Sequence, residues 1–130
     1  MDSTRIFRIL VIAATTCYVV WFLLPFWASD IELQVISYSG HGALLPVRNP
    51  LYYGSWFVLS IIAAVGMVYF CNWARHLYLG LSILGPVLAP FSGYLIQPPM
   101  DTLFSSANLI LDGVVLGVAY LSPISKRFTK

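Results

Sequence analysis

The stretch LFSSANLILDGVVLGVAYL, residues 103–121, decides how this chain is read. At a helical rise of about 1.5 Å per residue it reaches about 28 Å, close to the thickness of a bilayer's hydrocarbon core. Asp112 stands at its centre, one helical turn after Asn108 and on the same face. A carboxyl at the midplane costs on the order of 2.5–3.5 kcal/mol on insertion scales, so Asp112 is expected to face protein or water, not acyl chains. Gly113 and Gly117 form a GxxxG step beside that face. Without side chains there, a second backbone can approach closely, and a helix–helix contact is expected.

The rest of the chain has the same apolar character. Hydrophobic residues make up 59% of the 130 residues and charged residues only 9%. With a mean hydropathy of +0.83, this composition specifies an integral membrane protein and not a soluble domain. The formal net charge of +2 is too small to suggest nucleic-acid binding.

Three further apolar stretches precede the last one, giving spans at about 9–27, 52–70, 77–96 and 103–121. The expected fold is an all-α, single-domain bundle of four transmembrane helices. The first stretch is too long for a signal-peptide core and no A-x-A-like site follows it, so it is taken as a retained span. Thr15, Thr16 and Cys17 fall near its middle, where a hydroxyl commonly bonds back to its own helix. In the third span, Pro86 and Pro90 each remove a backbone donor, which frees the carbonyls of Ser82 and Pro86 at about the depth of Asp112. Such acceptors must find partners among neighbouring helices, side chains or water. Asn72 to His76 is read as a tight turn before this span, and 97–101 as a short turn after it.

Residues 28–51 form the one long loop. Ile31, Leu33 and Val35 alternate with Glu32 and Gln34, a period of two that suits a strand. Ser39-Gly40-His41-Gly42 supplies turn chemistry, and 43–47 suits a returning strand, so the loop is compatible with a small β-hairpin. Its polar residues Asp30, Glu32, His41 and Arg48 are the loop's candidate site residues.

Arg5, Arg8, Arg75, Lys126, Arg127 and Lys130 fall on one side of the four spans, and Arg48 alone falls on the other. The positive-inside rule then makes both termini cytoplasmic and the long loop external. A bacterial inner (plasma) membrane is the simplest setting. Cys17 and Cys71 lie at different depths, too far apart for a disulfide, which needs Cα atoms within about 7 Å.

The midplane polar set is Asp112, Asn108, Pro86 and Ser82. It has a structural reading, in which a neutral acid bonds to the kinked third helix, and a functional one, in which the carboxyl holds a proton or cation. One histidine with distant carboxylates is a weak metal set, so no metal is expected. The chain has no CxxC, HExxH, GxSxG or phosphate loop, so no enzyme activity and no cofactor is expected. The expected function is therefore non-enzymatic and works through helix–helix contacts with another membrane protein or a second copy. An accessory subunit, assembly factor or immunity-type inhibitor would fit. The alternative is a small oligomeric proton or ion channel or transporter that uses Asp112.

Overall fold

The computed structural model describes residues 3–37, 50–92 and 96–128. Five α-helices appear among them: α1 (Ser3–Leu23), α2 (Asp30–Ser37), α3 (Pro50–Val68), α4 (Asn72–Leu88) and α5 (Pro99–Leu121). Short 3₁₀ turns extend α1 through Phe26 and α4 through Ser92, and a third runs from Pro123 to Arg127. No strand occurs among the described residues.

The four long helices close into a ring in which α1 packs on α3 and α5, and α4 packs on α3 and α5. Residue pairings give their directions. Phe7 meets Phe128, while the Cys17 thiol reaches the Phe104 carbonyl at 3.6 Å, so α1 and α5 run antiparallel. Tyr78 pairs with Asp112 and Tyr120 with Arg75, which makes α4 and α5 antiparallel as well. Arg8 Nε donates to the Val68 carbonyl at 3.3 Å, and Phe22 stacks on Phe57, so α1 and α3 also oppose each other. The bundle is therefore up-down-up-down, with the start of α1 and Phe128 at one end of it.

That end is where the core lies. Phe7, Val11, Ala63, Met67, Ala74, Val115 and Ala119 are fully buried there. The turn between α3 and α4 shows why the packing is tight. Phe70 adopts φ 59°, a left-handed conformation uncommon for a residue other than glycine. The Cys71 amide donates to the Gly66 carbonyl at 2.9 Å and the Phe70 amide to that of Met67 at 3.1 Å, the paired bonds of a Schellman motif. Such a conformation costs on the order of 1–2 kcal/mol in a residue with a Cβ. Burial of the Phe70 ring offsets this, with centroids 5.5 Å from Phe7 and 5.3 Å from Phe128. The chain terminus contributes Phe128 by folding back. Ser122 Oγ donates to the Val118 carbonyl at 2.6 Å and accepts from the Ile124 amide at 3.2 Å, which turns Ile124 and Phe128 into the bundle end. Arg75 lies over the rings of Tyr120 and Phe128, 4.5 and 5.2 Å from their centroids.

Several expectations are corrected. Asn72 to His76 is not a turn but the first turn of α4; the chain reverses over 69–71 instead. Helix α5 starts at Pro99, four residues before the apolar run, because a proline at the first helical position needs no N–H partner. The strand expected at Ile31 to Val35 is the helix α2. Ser29 and Glu32 form a capping box that overrides the alternation: the Ser29 amide donates to Glu32 Oε2 at 2.8 Å, and the Glu32 amide donates to Ser29 Oγ at 3.4 Å. The returning strand expected at 43–47 lies outside the described residues.

The capping box carries a test. The Ser29 amide, and then its hydroxyl, hold the Glu32 carboxyl below its ordinary value of 4.5. With the folded value below the unfolded one, the stabilisation is complete above the unfolded value and is lost as pH falls through the folded one. Relative to the intrinsic rate at each pH, amide exchange across α2 should therefore quicken below about pH 4.5. Ser29→Ala should quicken it several-fold, by roughly the loss of one N-cap, at neutral pH. Equal protection in both proteins would mean that α2 is held by something other than its cap.

Two stretches, Ser3–Phe26 and α5, are long and apolar enough to cross a membrane, with mean hydropathies of 2.2 and 1.6. The apolar part of α3, Tyr53–Val68, is shorter.

Candidate functional site

Above the packed end the helices separate around a cavity of about 400 Å³. Asp112 marks its floor. The Tyr78 hydroxyl donates to Asp112 Oδ1, and the Asn108 amide donates to Oδ2 at 3.1 Å. Both carboxylate oxygens are thus held by neutral donors. No lysine, arginine or histidine is among the described residues that line the cavity.

Each helix supplies its lining at helical spacing. Ala14, Tyr18 and Trp21 come from α1, and Trp56, Ser60 and Ala64 from α3. Helix α4 gives Tyr78, Ser82 and Gly85, and α5 gives Ser105, Asn108 and Asp112. These positions follow i, i+3/i+4, i+7/i+8, so one face of every long helix turns toward the cavity, with a mixture of small, polar and aromatic side chains. Gly85 adjoins the Trp56 ring, and a Cβ there would stand 3.8 Å from it, an ordinary contact that the wall could accept. Toward the other end Trp21 and Gln97 stand near Asp101, and the Trp21 indole N–H is buried without a well-formed hydrogen bond.

The structure brings all four residues of the expected midplane set, Asp112, Asn108, Ser82 and Pro86, to this one cavity. Pro86 lies inside α4, whose last turn tightens to 3₁₀ geometry from Ala89. Tyr78, the direct partner of Asp112, was missed by sequence reasoning. The signal for it is its place four residues before Ser82 and eight before Pro86, on the same helical face. Thr15 and Thr16 bond back to the carbonyls of Val11 and Ile12, at 2.7 and 2.8 Å.

The glycine step is elsewhere. A Cβ on Gly113 or Gly117 would meet nothing within 4 Å, so no described helix of this chain packs there. The close approach lies at Gly66, whose added Cβ would overlap that of Ala74 and stand 3.2 Å from the Trp73 ring. Asp30 and Glu32 lie on the exposed first turn of α2. His41 and Arg48 lie outside the described residues. Cys17 and Cys71 are free thiols. No group of three metal-ligating side chains occurs among the described residues.

A carboxylate with two neutral donors, on the floor of a cavity with aromatic walls, can exchange a proton or bind one positive charge. No protein-family model, curated protein sequence or solved structure matches the chain.

Proposed function

We propose that this chain is an integral membrane protein whose four long helices all cross the bilayer, and that it binds a proton or monovalent cation at Asp112 as a small channel or transporter. Support for the four crossings comes from the outer surface of the bundle. Ile9 (55% exposed), Val58 (53%), Ile83 (54%) and Ile110 (68%) put large aliphatic side chains on the outside of all four long helices. A soluble monomer rarely exposes so continuous an apolar surface, whereas acyl chains cover it at no cost. The antiparallel ring puts α3 and α4 at the same level as the two helices of spanning length. In the orientation favoured by Arg5, Arg8, Arg75, Lys126 and Arg127, the packed end and both termini face the cytoplasm.

The observation that carries the binding role is the cavity itself. A purely structural acid needs only a partner, which Tyr78 already provides. A volume of about 400 Å³ beside an acid is more than a hydrogen bond requires. The open space above Gly113 and Gly117 favours a second reading, in which α5 also packs on another membrane protein or a second copy and makes the chain an accessory or assembly component.

Two measurements test the first reading. A reporter fused after Lys130 should read cytoplasmic, and one inserted at Gly40 should read external; a split in any other sense removes the four-span topology. In proteoliposomes the full chain should pass protons or monovalent cations down an imposed gradient, and Asp112→Asn should reduce that flux at least tenfold while melting within a few degrees of the parent. Equal flux in both would leave Asp112 a structural role only.

A further inference from the structure

We infer that the cavity beside Asp112 is built for an organic ammonium ion with an apolar body and not for a bare metal ion, an inference that rests on the membrane-embedded reading above. Three properties of the cavity converge on this ligand class.

The first is charge. Asp112 is the only Asp or Glu among the described lining residues, and none of those residues is basic. Tyr78 and Asn108 provide hydrogen bonds without a compensating charge. A part-buried carboxylate of this kind is stabilised by a cation that enters with the ligand.

The second is size and ligand count. Hard metal ions collect several oxygen ligands at short range, usually six or more. Here one carboxylate stands beside an amide and dispersed hydroxyls, with no cluster of three metal-ligating side chains among the described residues. The volume of about 400 Å³ falls in the range typical of small-molecule sites, about 300–1,000 Å³.

The third is the wall. Tyr18, Trp21, Trp56 and Tyr78 all line the space. Aromatic faces attract an alkylated ammonium through the ring quadrupole and cover an apolar body through dispersion. The polarity is ordered along the cavity. Asp112 and Tyr78 lie next to the packed core, whereas Trp21 and Gln97 lie at the end marked by Asp101. The ligand therefore places its ammonium on the Asp112 floor and its body between the tryptophans.

The test uses the full chain in nanodiscs of uncharged phosphatidylcholine, so that lipid does not attract the probe. The charged probe is benzyltrimethylammonium, and its neutral carbon counterpart is neopentylbenzene. Binding is read by tryptophan fluorescence and by calorimetry. The parent protein should bind the ammonium saturably, and neopentylbenzene at least tenfold more weakly. Asp112→Asn should weaken ammonium binding at least tenfold. Trp56→Leu, which leaves the carboxyl in place, should weaken it several-fold, so the inference stays testable if the Asp112 variant does not fold. Equal affinity for the two probes, or undiminished ammonium binding in Asp112→Asn, would overturn the inference by showing an apolar pocket blind to charge. Absence of ammonium binding alongside Asp112-dependent proton flux would overturn it too, while leaving the proposed function standing. Absence of both would defeat the two together.

Discussion

Gly66→Leu is expected to stop the protein accumulating in a folded form. Any Cβ at position 66 overlaps the Cβ of Ala74, which is fixed to its backbone and has no rotamer to escape through. Ala74 is itself fully buried. The hairpin cannot simply open, because the Gly66 carbonyl accepts the Cys71 amide that closes the turn. Gly66→Ala should be milder. Overpacking typically costs about 1–3 kcal/mol, and the better helix propensity of alanine returns up to about 1 kcal/mol. The double variant Gly66→Ala, Ala74→Gly should regain most of the loss by moving the methyl from one helix to the other. Gly113→Leu and Gly117→Leu point into open space, so they should leave the monomer's melting temperature unchanged. Yield and melting temperature in mild detergent would decide it. A parent-like Gly66→Leu protein would mean that α3 and α4 do not approach as closely as described.

The contrast between these glycines shows what was legible in the sequence. Four apolar stretches and their order follow from composition and length, and the chain does form four long helices in that order. A GxxxG spacing, however, says only that a backbone could approach, not that one does. Gly66 carries no such pattern, and its partner Ala74 is found only through a turn that needs Phe70 in a left-handed conformation. That conformation has no local signal, because the reward for it is tertiary: a ring between Phe7 and Phe128. The strand-like alternation at Ile31 to Val35 lost to a cap, although Ser29-x-x-Glu32 was there to be read.

The candidate site was half legible for a related reason. Asp112 and Asn108 stand out because polar groups are rare in an apolar run. Tyr78, Tyr18 and Trp56 do not stand out, because aromatic residues also serve as lipid-facing or interfacial side chains. Only the helical spacing shared by all four walls separates them, and that requires knowing which faces meet.

The second large effect is expected at Asp112 and should divide into a loss of stability and a loss of function. Asp112→Leu removes the acceptor for both the Tyr78 hydroxyl and the Asn108 amide. Leaving buried donors unpaired costs about 1–3 kcal/mol for each group. Water in the adjoining cavity can reach them, so about 2 kcal/mol in total is the expected loss. Asp112→Asn keeps an acceptor for Tyr78 and should cost less than 1 kcal/mol, a difference set by the weaker bond to an uncharged oxygen. A double-mutant cycle of Tyr78→Phe with Asp112→Ala isolates the pair. Interhelical hydrogen bonds in membrane proteins average about 0.6 kcal/mol in such cycles and reach about 1.7. A carboxylate acceptor belongs toward the upper figure, so a coupling of about 1 kcal/mol or more is expected from unfolding in detergent. Flux should respond differently, falling at least tenfold in Asp112→Asn and far less in Tyr78→Phe, which leaves the charge and its exchange intact. A coupling near zero would mean that Tyr78 merely lies beside the acid. Parallel losses of stability and flux across all the variants would mean that Asp112 holds the bundle together and does nothing more.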